Sequence, residues 1–349
     1  SGYLVEYKNI DQVVEKLKIY ANNPQLIIKH GLYGYKKIKS ISSEDIYNKK
    51  LSKILKNILS NKKRPDKKEP QKEVSIIVPI YNAYIETKNL ILSLTKTIDN
   101  NSTIYLSNDG SSDKRVLDLI NKYTKLPYIN SINHKKNIGY TKNINFAIKR
   151  VKSNSDIILL NSDTITTNFW IENLKKEAYR DKNTGTVTAM SDNAGAFSIP
   201  LKGKANPKPK DLHYQHYAHL MTKDTSVCSS IKLPTGSGFC FYIKRELIDA
   251  IGLFNEKDFP RGYGEENEFC LRAIDSGYTN IFSTSVFIYH IRTASFKNEK
   301  QKLVESAIKK IEQLYPDYHE RLRIAFSSRE YKELVKSAKN VLTKIEKER

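Results

Sequence analysis

The sequence predicts an α/β fold with a mainly parallel central sheet flanked by helices, and three observations carry the prediction. Between residues 73 and 300, short apolar runs alternate with stretches of helical periodicity, the spacing that right-handed βαβ units require. One run, Asp156-Ile157-Ile158-Leu159-Leu160, is apolar on both faces, as a strand covered from each side must be. The polar clusters that close the first four runs all lie beyond the strands' carboxyl ends and so share one edge. Turn residues scattered by chance would populate the opposite edge as well.

Residues 1–60 read as a helical segment. Ile10, Val13, Val14, Leu17 and Ile19-Tyr20 follow the helical period after an Asp11 start signal, and Leu51, Ile54, Leu55 and Ile58-Leu59 repeat it. Asn22-Asn23-Pro24 and Gly31-Leu32-Tyr33-Gly34 are expected to punctuate the path between them. Residues 61–72 hold a charged, proline-marked linker with nothing to bury, hence a domain boundary.

The folded domain, 73–300, then opens with the strand Val74 to Pro79 and a helix from Ile85 to Ile98. Thr103 to Leu106 is the second strand, before a helix through Val116, Leu119 and Ile120. Tyr128 to Ile132 is the third, with a helix from Thr141 to Val151, and Asp156 to Leu160 is the fourth. Thr186 to Met190 adds another strand, after which Ser191-Asp192-Asn193-Ala194-Gly195 begins a long irregular section carrying Pro200, Pro207 and Pro209. A loop of this length over a sheet edge points to a binding surface. Leu233-Pro234-Thr235-Gly236-Ser237-Gly238 supplies small residues before an apolar strand, suited to close backbone approach by a ligand or simply to a glycine turn. Leu247 to Phe254 is helical. Arg261-Gly262-Tyr263-Gly264 hinges into a helix that starts with Glu265, Glu266 and Glu268, and Ile281 to Tyr289 is a last strand that delivers His290 to its end. Residues 301–349 are helical and charged from Leu303 through Leu342, broken at Pro316, and are expected to pack on the core or on another domain without serving the chemistry.

Composition bounds the function. The 349 residues are 39% hydrophobic and 10% aromatic, enough for a sizeable core. Cys228, Cys240 and Cys270 are odd in number and lack C-x-x-C spacing, which argues against a disulfide framework and a zinc site and fits a reducing cytoplasm. No run is long enough to span a membrane, and the N-terminus has no signal-peptide core. The 59 basic against 38 acidic residues give a formal +21, compatible with nucleic acid, an anionic membrane surface or phosphorylated substrates. The excess is dispersed lysine without any nucleic-acid-binding signature, so nucleic acid is not an expected partner.

At the fourth strand's tip, Asn161, Ser162 and Asp163 offer hard oxygen ligands suited to Mg²⁺ or Mn²⁺ beside a phosphate. The competing reading is a turn in which Asp163 or Thr164 caps the next helix, near Asn168. Asp109-Gly110 can likewise be an Asx-turn. The acids at Glu265, Glu266 and Glu268 can be no more than complements to a helix macrodipole. His213, His216 and His219 recur every third residue, a spacing that rotates the third off any shared helical face and argues against a metal site.

Taken together, Pro79-Ile80-Tyr81-Asn82, Asn108-Asp109-Gly110-Ser111, Asn137-Ile138-Gly139 with Asn145, and Asn161-Ser162-Asp163 resemble, in order and spacing, the motifs of family 2 glycosyltransferases with the Rossmann-like GT-A fold. The resemblance covers roughly residues 73–300. It implies that Asp109 reads the pyrimidine edge of a nucleotide sugar and that Pro79, Tyr81, Asn82, Gly110, Asn137 and Gly139 shape the base and ribose pocket. It implies that Asn161-Ser162-Asp163 replaces the D-x-D metal motif, with Asn161 and Ser162 toward the nucleotide and Asp163 the metal ligand. The Arg261-to-Arg272 segment is similar to the family's E-D-x-D region, which implies Glu266 as catalytic base with Glu265 in reserve; Glu268, about one helical turn after Glu265, is expected beside Glu265 to orient the loop. His290 corresponds to a third metal or diphosphate ligand of some relatives, with Arg292 and Ser295 near phosphate. Asp192, Asn193, Gly236, Ser237 and Gly238 are then expected on the sugar and acceptor surface. Residues 3–60 resemble, more faintly, the closing helices of a CgeB-like GT-B domain, which implies that this chain is part of a longer, multi-domain one.

The expectation is an inverting transferase that uses Mn²⁺ or Mg²⁺ to move a sugar from a nucleotide-sugar donor, UDP-linked, to a glycan hydroxyl, free or carried on lipid or protein. The setting implied is bacterial surface polysaccharide or glycoprotein glycan assembly in the cytoplasm, with peripheral contact to the anionic inner face of the membrane. The alternatives are a sugar-phosphate nucleotidyltransferase, which would want a glycine-rich basic loop where Tyr81-Asn82-Ala83 stands, and a basic binding module without catalysis.

Overall fold

The computed structural model describes residues 2–6, 9–42, 52, 72–225, 230–291 and 297–347. Most of the second N-terminal helical pattern (Leu51 to Leu59), nearly all of the 61–72 linker, Cys228, Arg292 and Ser295 lie outside the described residues. Two compact units are formed, Ser1–Lys68 and Glu69–Arg349.

In the first unit, α1 (Ile10–Asn22) starts at an Asn9 cap whose side chain accepts from the Gln12 N–H. It is followed by α2 (Gln25–Ser42). The expected break at Gly31-Leu32-Tyr33-Gly34 does not occur: α2 runs through both glycines, whose cost of about 1 kcal/mol each in a helix is tolerable over its length.

The second unit is a layered α/β structure. Its first elements are β1 (Val74–Ile80), α3 (Tyr84–Thr97), β2 (Ser102–Asn108), α4 (Lys114–Tyr123), β3 (Ile129–Asn133), α5 (Tyr140–Ile148) and β4 (Asp156–Leu160). There follow β5 (Thr164–Ile165), α6 (Trp170–Ala178), β6 (Thr184–Met190), α7 (Tyr214–Thr225), β7 (Ile231–Lys232), β8 (Cys240–Ile243), α8 (Arg245–Ile251), α9 (Glu265–Asp275), β9 (Thr279–Phe287) and β10 (Tyr289–His290). Three helices close the chain: α10 (Lys297–Leu314), α11 (Tyr318–Ser327) and α12 (Arg329–Lys347). The His-bearing stretch is an ordinary polar helix, with His216 and His219 on α7 and His213 just before it.

The sheet order is β3-β2-β1-β4-β8-β6-β9-β7. The first four strands are mutually parallel, as the alternation of strand and helix demands. Every residue of β1 and β4 is buried, the state anticipated for runs apolar on both faces. Helical cover on the two faces creates two apolar clusters, one around Ile76, Leu160, Trp170 and Phe282, the other around Ile77, Ile157, Phe241 and Phe269. The C-terminal helix α12 joins the first of these through Leu334, Ala338 and Val341, so residues after 300 belong to the same core.

β8 runs antiparallel between β4 and β6. Its first residue, Cys240, therefore pairs with the last of β4, Leu160, and the glycine-rich approach to β8 is laid beside the tip of β4. β9 is parallel to β6 and leaves the sheet at the same edge. The expected single strand from Ile281 to Tyr289 divides there: beyond Phe287 the chain turns off to form β10, which pairs antiparallel with β5 in a separate ladder, His290 opposite Thr164.

Candidate active site

Of the four loops at the carboxyl edge, the first three are tied to one another by their own polar side chains. β1 ends in register with β2, Ile80 opposite Asn108, so the Tyr81-Asn82 and Asp109-Gly110 tips are neighbours. Asn82, at φ 56°, accepts through Oδ1 from the backbone N–H of Ser112 and Asp113, at 2.9 and 3.1 Å. Asp109 is buried, and its carboxylate accepts from the N–H of Ile138 (2.8 Å) and Gly139 (3.2 Å). It thus latches the third loop to the second instead of making the Asx-turn, and its remaining lone pairs are what it can offer a ligand. Gly110 is a required glycine: at φ +68° a Cβ would lie 2.4 Å from the Lys136 carbonyl carbon. Tyr81 stands half exposed on this shelf as a flat apolar face. Pro79 is buried in β1, and Asn137 caps its own turn by accepting from Gly139 N–H.

The fourth tip is not a helix cap. Thr164 bonds back to the Asn161 carbonyl and continues into β5, while Asn161 N–H donates to Phe239 O at 3.1 Å. The β5–β10 ladder then sets His290 Nε2 3.1 Å from Asp163 Oδ1. The imidazole is nearly buried and stacked on Phe239, ring planes 17° apart. Asp192 fixes this segment from behind by accepting from the His290 N–H at 3.0 Å, and burial pushes the Asp192 carboxyl above its ordinary range.

A carboxylate oxygen and an imidazole nitrogen facing each other at this separation form a donor pair that Mn²⁺ accepts, and Mg²⁺ less readily. Nδ1 of His290 is buried without a partner, so only Nε2 is committed, and to the same carboxylate. Among the described residues no group of three His, Cys, Asp or Glu side chains could hold a metal ion by itself. An ion here would complete its shell with substrate oxygens and water, the habit of phosphate-bound divalent cations.

Beside this pair opens a cavity of ≈ 1050 Å³ lined by Asn161, Asp163, His290, Gly236, Ser237, Glu265 and Glu266. α9 begins at Glu265 with its first turn at the cavity wall. Glu266 is half-buried, and its Oε1 accepts from Gly238 N–H at 2.9 Å. Glu265 is buried and accepts from Gly264 N–H at 3.0 Å; burial first, then the charge of Glu266 and a hydrogen bond with it, hold its carboxyl well above the ordinary range. The two acids are thereby differentiated: burial disfavours the charged form of Glu265, whereas Glu266 is only half-buried and lines the cavity with its carboxyl on Gly238 N–H. Glu268 follows Glu265 by three residues in the first turn of α9, and its carboxylate is turned to other work. It is spent on Arg272, at 2.8 Å to each of two guanidinium nitrogens, and Arg272 in turn ties down the carbonyls of Ile251 and Leu253.

The cavity brings together seven of the residues anticipated from sequence. Gly238 touches it through Glu266, and Asn193 and Asp192 stand just behind, next to the lining residues Ala194 and Gly195. Pro79, Tyr81, Asn82, Asp109, Gly110, Asn137, Gly139 and Ser162 are not in its wall; they lie along the edge of the first four strands.

Three contributors were not anticipated. Tyr140 lines the cavity, and burial followed by the charges of Glu266, Glu265 and Asp163 pushes its phenol well up. Tyr263, at φ 66°, sits at the wall on the glycine hinge. The C-terminal helices were expected to be uninvolved, yet Val304 and Ile308 of α10 and Tyr318, Leu322 and Phe326 of α11 form one side of the cavity. Tyr140 and Tyr263 each adjoin a glycine of a site loop, the one signal that pointed to them. Nothing local marks the helices.

The sequence model described as glycosyl transferase family 2 matches residues 75–252. No curated protein matches the chain. Among solved structures, GalNAc-T7 with UDP, GalNAc and Mn²⁺ is similar at a TM-score of 0.54 and 14% identity, over 77% of this chain and 54% of that one. The mannosyltransferase PcManGT from Pyrobaculum calidifontis, in complex with GDP-Man and Mn²⁺, is similar at 0.51 and 15% identity, over 78% and 74%. The chain thus spans about half the length of the first. The shared architecture is the GT-A fold.

Proposed function

Because the chain belongs to glycosyl transferase family 2, we propose that it transfers a sugar, with inversion, from a UDP-linked donor to a glycan hydroxyl. The observation that carries this is the convergence on one cavity of the Asp163–His290 pair and of the Glu266 carboxyl, held by Gly238 N–H beside the buried Glu265. Tyr81 offers a stacking face to the base, and Asp109 an acceptor to a pyrimidine N–H, with Asn82, Gly110, Asn137 and Gly139 shaping that shelf. Asp163 and His290 would hold Mn²⁺ or Mg²⁺, which when bound supplies positive charge to the diphosphate leaving group.

Glu266 then takes the proton of the acceptor hydroxyl. The acceptor oxygen attacks the anomeric carbon from the face opposite the diphosphate, so the configuration inverts. Gly238 N–H keeps the Glu266 carboxylate aimed, and Gly236, Ser237 and Asn193 border the transferred sugar. The setting we propose is assembly of a bacterial surface polysaccharide or glycoprotein glycan on the cytoplasmic side of the membrane, consistent with the free, buried Cys240 and Cys270. No described helix is long and apolar enough to cross a membrane.

The test is a thermal-shift screen of UDP, dTDP, GDP and their sugars, each with and without Mn²⁺ or Mg²⁺, since a ligand that binds only the native state raises the midpoint. A metal-dependent shift with UDP is expected. Silence toward every pyrimidine nucleotide refutes the reading. Glu266→Gln is expected to keep that shift while transfer falls by ~10²- to ~10⁴-fold.

A further inference from the structure

The catalytic cavity is continued outside the donor site by a second concavity. A groove of ≈ 440 Å³ lies on α11 and α12, lined by Phe326, Tyr331, Val335, Lys332, Lys336 and Lys339. Phe326 belongs to both walls, so the groove begins where the cavity ends. At that junction Lys202, itself a cavity residue, holds its ammonium 4.0 Å from the centre of the Phe326 ring. Tyr331 packs edge-on against the same ring, centroids 5.1 Å apart.

The three groove lysines recur at i, i+4 and i+7 of α12, hence on one helical face. All three are exposed. None of their ammonium groups is ion-paired to a described residue, whereas the acid nearest in sequence, Glu333, is engaged by Arg329. Among the described residues no carboxylate lines the groove. A row of unpaired cations beside an aromatic floor suits a chain of sugar rings bearing negative groups: rings lie against Phe326 and Val335, and anionic substituents meet the lysines. A neutral glycan would leave the lysines without purpose, and a nucleic acid would want a stacking series that one half-buried ring, Phe326, beside a buried one, Tyr331, does not provide.

We propose that this groove is the distal subsite of the acceptor, and that the acceptor is an anionic glycan whose reactive end enters the cavity past Phe326 and Lys202. The assignment of an acceptor rests on the transferase reading; the anion preference of the groove does not, and the two are measured apart. Such a subsite also accounts for part of the +21 charge that the donor site leaves unexplained.

The experiment is calorimetric titration of the full chain, at about 0.1 M salt so that diffuse attraction is screened beyond ~10 Å, with a phosphomannan oligosaccharide, an oligogalacturonate of equal length, and neutral maltoheptaose. The comparison variants are Lys332→Gln/Lys336→Gln/Lys339→Gln and, with the same change in charge on α3 and α4, Lys88→Gln/Lys96→Gln/Lys122→Gln. At least one anionic glycan is expected to bind, and the tighter of the two identifies phosphate or carboxylate as the recognised group. The groove variant is expected to lose about tenfold in affinity, the control variant less than about twofold. Equal losses in both variants, no loss in the groove variant, or equal binding of maltoheptaose would overturn the proposal. So would a single-stranded oligonucleotide of equal charge that displaces both glycans. UDP with Mn²⁺ is titrated in parallel: its failure to bind refutes the transferase reading and the word acceptor, while the glycan arms report on the groove alone.

Discussion

Gly238→Ala separates placement of the base from stability of the fold. A Cβ at this position would stand 2.8 Å from Glu266 Oε1 and 2.7 Å from the Tyr140 hydroxyl. Ordinary van der Waals contact begins at 3.4 Å, so the carboxylate must retreat by about 0.6 Å and the phenol by slightly more. Both obstacles are ends of side chains and not backbone, and Gly238 is not in the left-handed region, so alanine fits the chain's path. The folding cost is therefore small, about 1 kcal/mol, and the melting midpoint should fall by about 2 °C. Catalysis is more sensitive, because displacement of a reacting group by a fraction of an ångström to 1 Å costs ~10- to ~100-fold in rate. The assay is release of nucleoside diphosphate under saturating donor and Mn²⁺, with donor affinity measured independently. A kcat within about twofold of the parent, with the small stability change observed, would show that the Glu266 position does not set the rate.

Glu265→Gln probes the buried acid. Its folded-state pKa lies above the unfolded value of 4.5, so its contribution to stability is complete below that value and is lost as pH climbs toward the folded pKa. The amide has no proton to lose, so the variant should gain on the parent in denaturant midpoint from pH 5 to pH 8; a gap that does not change with pH would sink the idea. Asp163→Ala should abolish the Mn²⁺-dependent part of the UDP thermal shift and leave the metal-free part, and an unchanged metal response would move the ion elsewhere. Gly110→Ala should behave opposite to Gly238→Ala, because its new Cβ meets backbone at 2.4 Å with φ at +68°: roughly 1–3 kcal/mol of stability is lost, read by denaturant titration, and a parent-like midpoint contradicts the packing described.

The sheet edge was legible in the sequence because its signal is local. Each strand changes from apolar to polar within two or three residues, at Ile80-Tyr81, Leu106-Ser107-Asn108 and Leu160-Asn161, and that change announces where backbone leaves the core. His290 was legible for the same reason, at the end of the last long apolar run. The antiparallel entry of β8 was not, since four apolar residues state that they are buried but not which neighbours they choose. The amphipathic pattern after residue 300 likewise specifies that a face is covered and is silent about what covers it, so the cavity wall from α10 and α11 stayed hidden. Asp109 illustrates a third limit. Its residue type announced a polar partner, but the partner is a backbone turn that only the assembled loops bring within 2.8 Å.

The two-residue ladder of β5 with β10 has a consequence for how the site is completed. The stretch that matches the family model stops at residue 252, before Glu266 and before His290 returns to Asp163. A chain still emerging from the ribosome, or one that ends at that point, carries the Tyr81–Asp109 shelf and Asp163, but neither Glu266 nor the His290 imidazole that faces Asp163. On the transferase reading proposed above, an unfinished molecule could not consume its activated donor, and chemistry would begin only when the polypeptide is complete enough to fold back on itself.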